Sequence, residues 1–277
     1  MLGEPVARQW QPDGYQVRIL TRSPQKATAW LGKSYEFVVG DVDNLSLLEA
    51  VLQGYDGVHI SLDGGKDNDL ERRGEVNVAG AAVKAGVKRI TYLHGALVAE
   101  ENYWYPGTKA KFLAEKAIRE SGVPYTNFNA GWFKESLSRF VYGKRAFVIG
   151  KQPNATPWIT VKDYARMVAK AYATPEAENK NLFILGTESY TLRQALKTYC
   201  AIVHPGIKII TLSFWAASLF VILGWREELK TALPFFRYFE HVQIKGSLAE
   251  ANALLGAPTI TLEIWSRQQS SHAHNGR

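Results

Sequence analysis

Short apolar runs alternate with amphipathic helical stretches through the first half of the chain, and nothing else in the sequence constrains the fold as strongly. YQVRIL is followed by SPQKATAWLG, YEFVVGD by NLSLLEAVLQG, GVHISL by LERRGEVNVAGAAVKAG, and KRITYLHG by TKAKFLAEKAIRESG; YTNFNAG closes the series. Repeated strand–helix–strand units of this length build a parallel sheet with helices on both faces. GVHISL and RITYL are apolar without strict alternation, as strands covered on both faces are. Ahead of the series, EPVARQW reads as a helix with Pro5 in its first turn and Val6, Ala7 and Trp10 on one face.

The second half is less regular. A helix is expected from Thr160 or Val161, and NLFILG gives a further strand near 182–186. TLRQALKTYCAI, LKTALPFFRYFEHV and LAEANALLG read as helices. The uncharged stretch Ile209–Trp225 is short of the about 20 residues that cross a membrane. Thr211, Ser213 and Ser218 also interrupt it. It reads as a buried helix, with a membrane-surface role as the lesser reading and no stable insertion. The organisation expected is a nucleotide-binding domain over 1–131, joined by the strand near 182–186. Elements of a small, mainly helical lobe then occupy 132–265, and 266–277, without apolar periodicity, form a disordered tail.

Composition narrows the function. The 277 residues carry a net charge of +7, with a pI near 9.3. That balance suits a phosphate-bearing ligand, but Lys and Arg are scattered and no helix-turn-helix or zinc-finger spacing is present, which argues against nucleic acid. The lone Cys200 excludes an intramolecular disulfide and fits a reducing cytoplasm; no secretory signal is legible.

Ligands of such a sheet sit at the carboxyl ends of its strands. YQVRIL ends in Thr21, Arg22 and Ser23. An arginine there pairs with the 2′-phosphate of NADP, where an acidic residue would bind the ribose hydroxyls of NAD, and the flanking hydroxyls can bond the same phosphate. A solvated loop arginine is the competing reading. YEFVVGD ends at Asp41, followed by Val42; the carboxylate can accept from an adenine amino group or cap the next helix, as Asp43 or Asn44 also can. GVHISL ends in Ser61, Leu62, Asp63, Gly64 and Gly65, small enough for close approach of a ribose or pyrophosphate, or simply a turn. RITYL ends in His94, a candidate to polarise a carbonyl or a plain loop residue. His59, inside a strand, reads as core. Tyr105 and Lys109 have the spacing Y-x-x-x-K, by which a lysine can lower a phenol's pKa while the phenol transfers a proton. Pro106 and Gly107 can also hold Tyr105 off the helix.

VARQW with GYQVRILTRSPQKA, FVVGDVDNLSLLEAVLQGYDGVHISL, AAVKAGVKRITYL, KFLAEKAIRESGVPYTNFNAGWFKESL, WITVKDYARMVAKAY and EANALLGAPTITLEIW follow one another in an order that resembles the NmrA-like, NAD(P)-binding group of atypical short-chain dehydrogenase/reductases. The resemblance covers nearly the whole chain. It implies a Rossmann-like doubly wound sheet with a small carboxy-terminal lobe over the substrate. Members of the group begin with a buried strand and a glycine turn; MLGEPVAR aligns from beyond that turn, with Gly3 as the third glycine of the fingerprint. The expectation is therefore a sheet lacking its first strand and weak cofactor binding by the chain as it stands. The group's lysine maps onto Lys111, four residues before Glu115, and not onto Lys109; the two lie about 200° apart around a helix. His94 stands where serine is usual. The implied function is an NADP-dependent reductase of a small carbonyl, quinone or conjugated substrate, with NAD the less favoured cofactor. Lys111 or Lys109 would orient the ribose, Tyr105 or His94 would donate the proton, and Trp132 and Phe133 would wall the substrate or serve as core. The alternative is a non-catalytic NADP-binding redox sensor acting through a protein partner.

One outcome tests the strand-end arginine. Arg22→Asp should weaken NADPH binding by about one to two powers of ten, the loss of one charge-assisted fork of roughly 1.5–3 kcal/mol, and leave NADH binding nearly unchanged. Titration of both cofactors by fluorescence reads this; equal weakening of the two removes the role.

Overall fold

The computed structural model describes residues 2–62, 67, 69–222 and 228–275. Along the chain the elements are α1 (Gly3–Trp10), β1 (Arg18–Thr21), α2 (Pro24–Leu31), β2 (Glu36–Val39), α3 (Leu45–Leu52), β3 (Gly57–Ile60), α4 (Leu70–Ala85), β4 (Arg89–Gly95), α5 (Pro106–Glu120) and β5 (Tyr125–Ala130). They continue as β6 (Val141–Tyr142), β7 (Arg145–Ile149), β8 (Thr156–Pro157), α6 (Val161–Tyr172), β9 (Lys180–Ile184), β10 (Ser189–Tyr190) and α7 (Leu192–Val203). The last are β11 (Lys208–Leu212), α8 (Phe214–Ile222), α9 (Glu228–His241), α10 (Ala249–Leu255) and α11 (Leu262–Asn275). Two compact units divide the chain: unit 1 holds 1–129, 164–184 and 247–256, and unit 2 holds 130–163, 185–246 and 257–277.

Unit 1 is the alternating α/β part. A four-stranded sheet runs in the order β3-β4-β5-β9, and β1 pairs with β2 in a separate ladder. Both β1–β2 and β3–β4 are parallel, with Ile19 opposite Phe37 and His59 opposite Thr91. Among the described residues no strand joins β1 to β3. In a doubly wound order that is the place of the central strand.

The pleat sorts side chains onto two helical layers. Ile60, Ile90 and Tyr92 point to a core shared with Leu48 of α3, Val78 and Ala82 of α4 and Ile118 of α5. His59 and Thr91 point the other way. His59 Nδ1 meets Thr91 Oγ1 at 2.8 Å and its Nε2 meets the Tyr164 hydroxyl of α6 at 2.8 Å, while Trp10 of α1 packs edge-on at 5.8 Å. Local chemistry sets the ends of these elements. Asn44 caps α3 by accepting from the Leu47 amide, and α4 closes on Gly86 at φ +70°, where the left-handed backbone favours glycine.

Unit 2 contains more strand than the sequence suggests. The stretch read as one buried helix over Ile209–Trp225 is divided: β11 runs parallel to β7, and α8 follows it. Ile209, Ile210 and Thr211 are β-branched and favour the strand. Ser213 then turns the chain, its hydroxyl accepting from the Ala216 amide at 3.2 Å. A second correction concerns 266–277. Through Asn275 this segment is not a disordered tail but the continuation of α11. Leu262 and Trp265 seat the helix in the core of unit 2, with Trp265 against Tyr199 at 5.4 Å, and the buried Ser266 hydroxyl donates to the Leu262 carbonyl at 2.7 Å. Polar residues then extend a helix whose apolar anchor lies upstream of them.

Burial between two hydroxyls holds His59 neutral, with its pKa lowered from 6.5 to about 3. As pH falls below 6.5 the unfolded chain takes up a proton that the folded chain refuses, so this group removes stability progressively down to about pH 3. The expected loss is roughly 1–2 kcal/mol between pH 7 and pH 5. Urea denaturation at the two values should show a smaller difference for His59→Gln than for the parent chain.

Candidate functional site

The strand ends of unit 1 carry most of the residues singled out in the sequence. Arg22 follows β1 and Asp41 follows β2. Because the strands are adjacent and parallel, the two side chains meet, Nη1 to Oδ2 at 3.7 Å, in an exposed ion pair. Thr21 Oγ1 accepts from the Ser23 amide at 3.1 Å, which tightens the turn carrying Arg22, and Pro24 starts α2 directly after it. Val42 and Leu62 converge on Gly74 of α4: a Cβ there would run into both side chains. Asn77 of the same helix donates to the Val42 carbonyl at 3.0 Å. The structure thus brings together Arg22 with Asp41, and Val42 with Leu62. Ser61 is partly exposed beyond β3. Gly64 lies outside the described residues. Gly3 begins α1, whose N-cap, Leu2, makes no side-chain cap hydrogen bond.

The remaining candidates lie on β4, on α5 and in the segment joining them. Tyr105 is the N-cap of α5, with extended backbone, and Pro106 occupies the first helical position. It is therefore not on the helix, and the one-face argument for Y-x-x-x-K does not apply. Lys109 is exposed. Lys111 is ion-paired with Glu71 of α4. Glu71 also acts on Tyr105: burial first, and the Glu71 charge second, raise the phenol's pKa above 10. That is opposite to the lowering expected from a neighbouring lysine. Glu71 thus pairs with Lys111 and its charge acts on Tyr105.

His94 is enclosed rather than open at the strand end. Its Nε2 bonds Glu75 Oε2 of α4 at 2.9 Å, and its Nδ1 lies 4.0 Å from Glu115 Oε2 of α5. Glu115 also receives Asn127 of β5 at 3.5 Å and Asn181 of β9 at 3.1 Å. Sequence reasoning passed over Glu71 and Glu75, although a signal was present. Glu75 stands three, four and seven residues before the buried Val78, Ala79 and Ala82, so it is a carboxylate inside an apolar helical stripe. In unit 2, Trp132 stacks on Trp158 at 5.3 Å and touches Phe239 at 4.8 Å. It belongs to an aromatic cluster with Phe140 and Phe235. Phe133 is partly exposed and forms a bridge to Ile159.

Comparison with known proteins places this geometry. The family model described as NAD(P)H-binding matches residues 1–175. The (4-alkanoyl-5-oxo-2,5-dihydrofuran-3-yl)methyl phosphate reductase of Streptomyces griseus is 28% identical over 264 residues, covering 93% of this chain and 91% of that protein. The photosystem II assembly factor Ycf39 of Trieres chinensis is 22% identical over 248 residues, 84% of this chain and 77% of the relative. Among solved structures, an NADPH complex of the Escherichia coli NADPH-dependent quinone oxidoreductase QOR2 superposes with a TM-score of 0.73 at 22% identity, over 99% of this chain and 97% of that one.

The enclosed histidine gives a test of the site's framework. His94→Leu leaves the buried Glu75 carboxyl without its hydrogen-bond partner and should cost about 1–3 kcal/mol. Glu75→Leu combined with His94→Leu should cost less than the sum of the single changes, by roughly 1 kcal/mol or more. Urea denaturation of the four proteins measures that difference.

Proposed function

Because the chain belongs to the NAD(P)H-binding family, we propose that it takes NADPH and reduces a small carbonyl, quinone or conjugated substrate. The observation that carries the proposal is the Arg22–Asp41 pair on adjacent parallel strand ends. The residues present fit the adenosine half of the cofactor. An exposed guanidinium can fork to a 2′-phosphate, and Thr21 and Ser23 add hydroxyls beside it. Asp41 can accept from the adenine amino group. Val42 and Leu62 supply apolar surface over Gly74, and Ser61 a hydroxyl. The uncapped start of α1, with Gly3, suits the pyrophosphate. NADPH, when bound, supplies the hydride; NADH lacks the phosphate that Arg22 would hold.

Tyr105 is assigned the proton. Burial and Glu71 keep the phenol protonated at neutral pH, as an acid must be before it donates. Lys111, tied to Glu71, is the lysine assigned to orient a ribose on this reading. His94 is assigned a framework role, holding β4 to α4 and α5.

A second reading has its own support. A photosystem II assembly factor is among the relatives, and Lys111 is engaged by Glu71. On that reading the chain binds NADPH without turnover and acts through a protein partner.

Purified protein with NADPH and a panel of quinones and conjugated enones separates the two. The reductase reading expects substrate-dependent NADPH oxidation, with Tyr105→Phe lowering kcat by about 10²-fold or more at unchanged cofactor affinity. Stoichiometric binding of NADPH with no turnover across the panel would decide for the regulator.

A further inference from the structure

α8 (FWAASLFVI) carries no charged residue, and in unit 2 it is only half covered. Ala217 is fully buried, and Phe214 and Val221 pack against the core. Trp215, Leu219 and Ile222 stand outward, 77%, 41% and 79% exposed. Their spacing of four and three residues puts them on one face of the helix. They form a ridge of one aromatic and two aliphatic side chains rising from the protein. Beside it α9 forms a groove of about 400 Å³. The groove's lining adds two cations, Lys230 and Arg237, to the apolar Val221, Ile222, Leu233 and Pro234. Arg237 lies over the Phe214 ring at 5.2 Å, which fixes its guanidinium next to the apolar helix.

We propose that the α8–α9 face docks on an anionic phospholipid surface. Trp215, Leu219 and Ile222 would enter the headgroup–acyl boundary, while Lys230 and Arg237 meet lipid phosphates. The nine described residues of α8 span about 14 Å, under half the hydrocarbon thickness, and the proposal has this stretch lie along the bilayer surface. This agrees with the finding that no described helix is long and apolar enough to span. An outward tryptophan with aliphatic neighbours and adjacent cations is the composition of an interfacial helix. The chain's net charge of +7 favours approach to a negative surface.

A second copy of the chain fits the face less well. A stable interface engages about 20–30 residues on each side. The ridge offers three, and a two-fold pairing would bring like cations to one seam.

Co-sedimentation with phosphatidylcholine vesicles, with and without phosphatidylglycerol, tests the proposal on the full chain without cofactor or substrate, so the result is independent of the reductase reading. Binding is expected only to the phosphatidylglycerol vesicles, to weaken at high salt, and to be unaffected by inorganic phosphate. Trp215→Ser with Ile222→Ser, and separately Lys230→Gln with Arg237→Gln, should each reduce the bound fraction at least tenfold with unchanged circular dichroism. All four are surface positions, so folding is retained. No binding to either vesicle, equal binding to both, or binding indifferent to both variants would overturn the proposal. So would a concentration-dependent dimer that disappears in the Trp215/Ile222 variant while vesicle binding is absent.

Discussion

A histidine buried between two carboxylates holds the centre of unit 1. His94 leaves β4 on the same face as Ile90 and Tyr92, and Glu75 and Glu115 reach it from the two helices that cover that face. Apolar packing alone lets two helices slide over a sheet. A bond with fixed donor and acceptor positions does not, and leaving it unmade inside the protein costs more than making it returns. The segment from β4 to α5, which carries Tyr105, therefore starts from a fixed point. The Glu71–Lys111 pair lies one helical turn away on the same two helices and extends the same polar seam.

This seam shows where the sequence was legible and where it was not. The strands of unit 1 could be read from their short apolar runs and from the alternation of those runs with helices. Arg22 and Asp41 were singled out by the strand-end rule, and both follow strands of the β1–β2 ladder. His94 was found too, but in the wrong setting: its enclosure depends on Glu75 and Glu115, nineteen residues behind it and twenty-one ahead. No local pattern links them. Tyr105 and Lys109 show the opposite failure. Their spacing was local and suggestive, but Pro106 begins the helix one residue too late for the spacing to matter, and the charge acting on the tyrosine is that of Glu71 on another helix.

Unit 2 was read less well for a different reason. Ile209–Trp225 is uncharged and mostly apolar, and hydrophobicity alone does not separate a strand from a helix in such a run. The decision rests on three β-branched residues and one capping serine. At the other end, α11 continues through residues with no apolar periodicity because its first turns are already seated, a tertiary cause invisible in the segment itself.

The separation of β1–β2 from the other four strands has an energetic consequence. α2 has no buried residue, and neither β1 nor β2 contains a fully buried one, whereas every residue of β5 is buried. The small ladder therefore holds the lower share of unit 1's own cohesion and opens at lower free energy than the four-stranded sheet. Arg22 and Asp41 ride on that ladder. On the proposed reading, a nucleotide held by them would add its binding free energy to the part of the protein with least of its own. Occupancy would therefore register first as slower amide exchange across 18–39, with the larger sheet nearly unmoved.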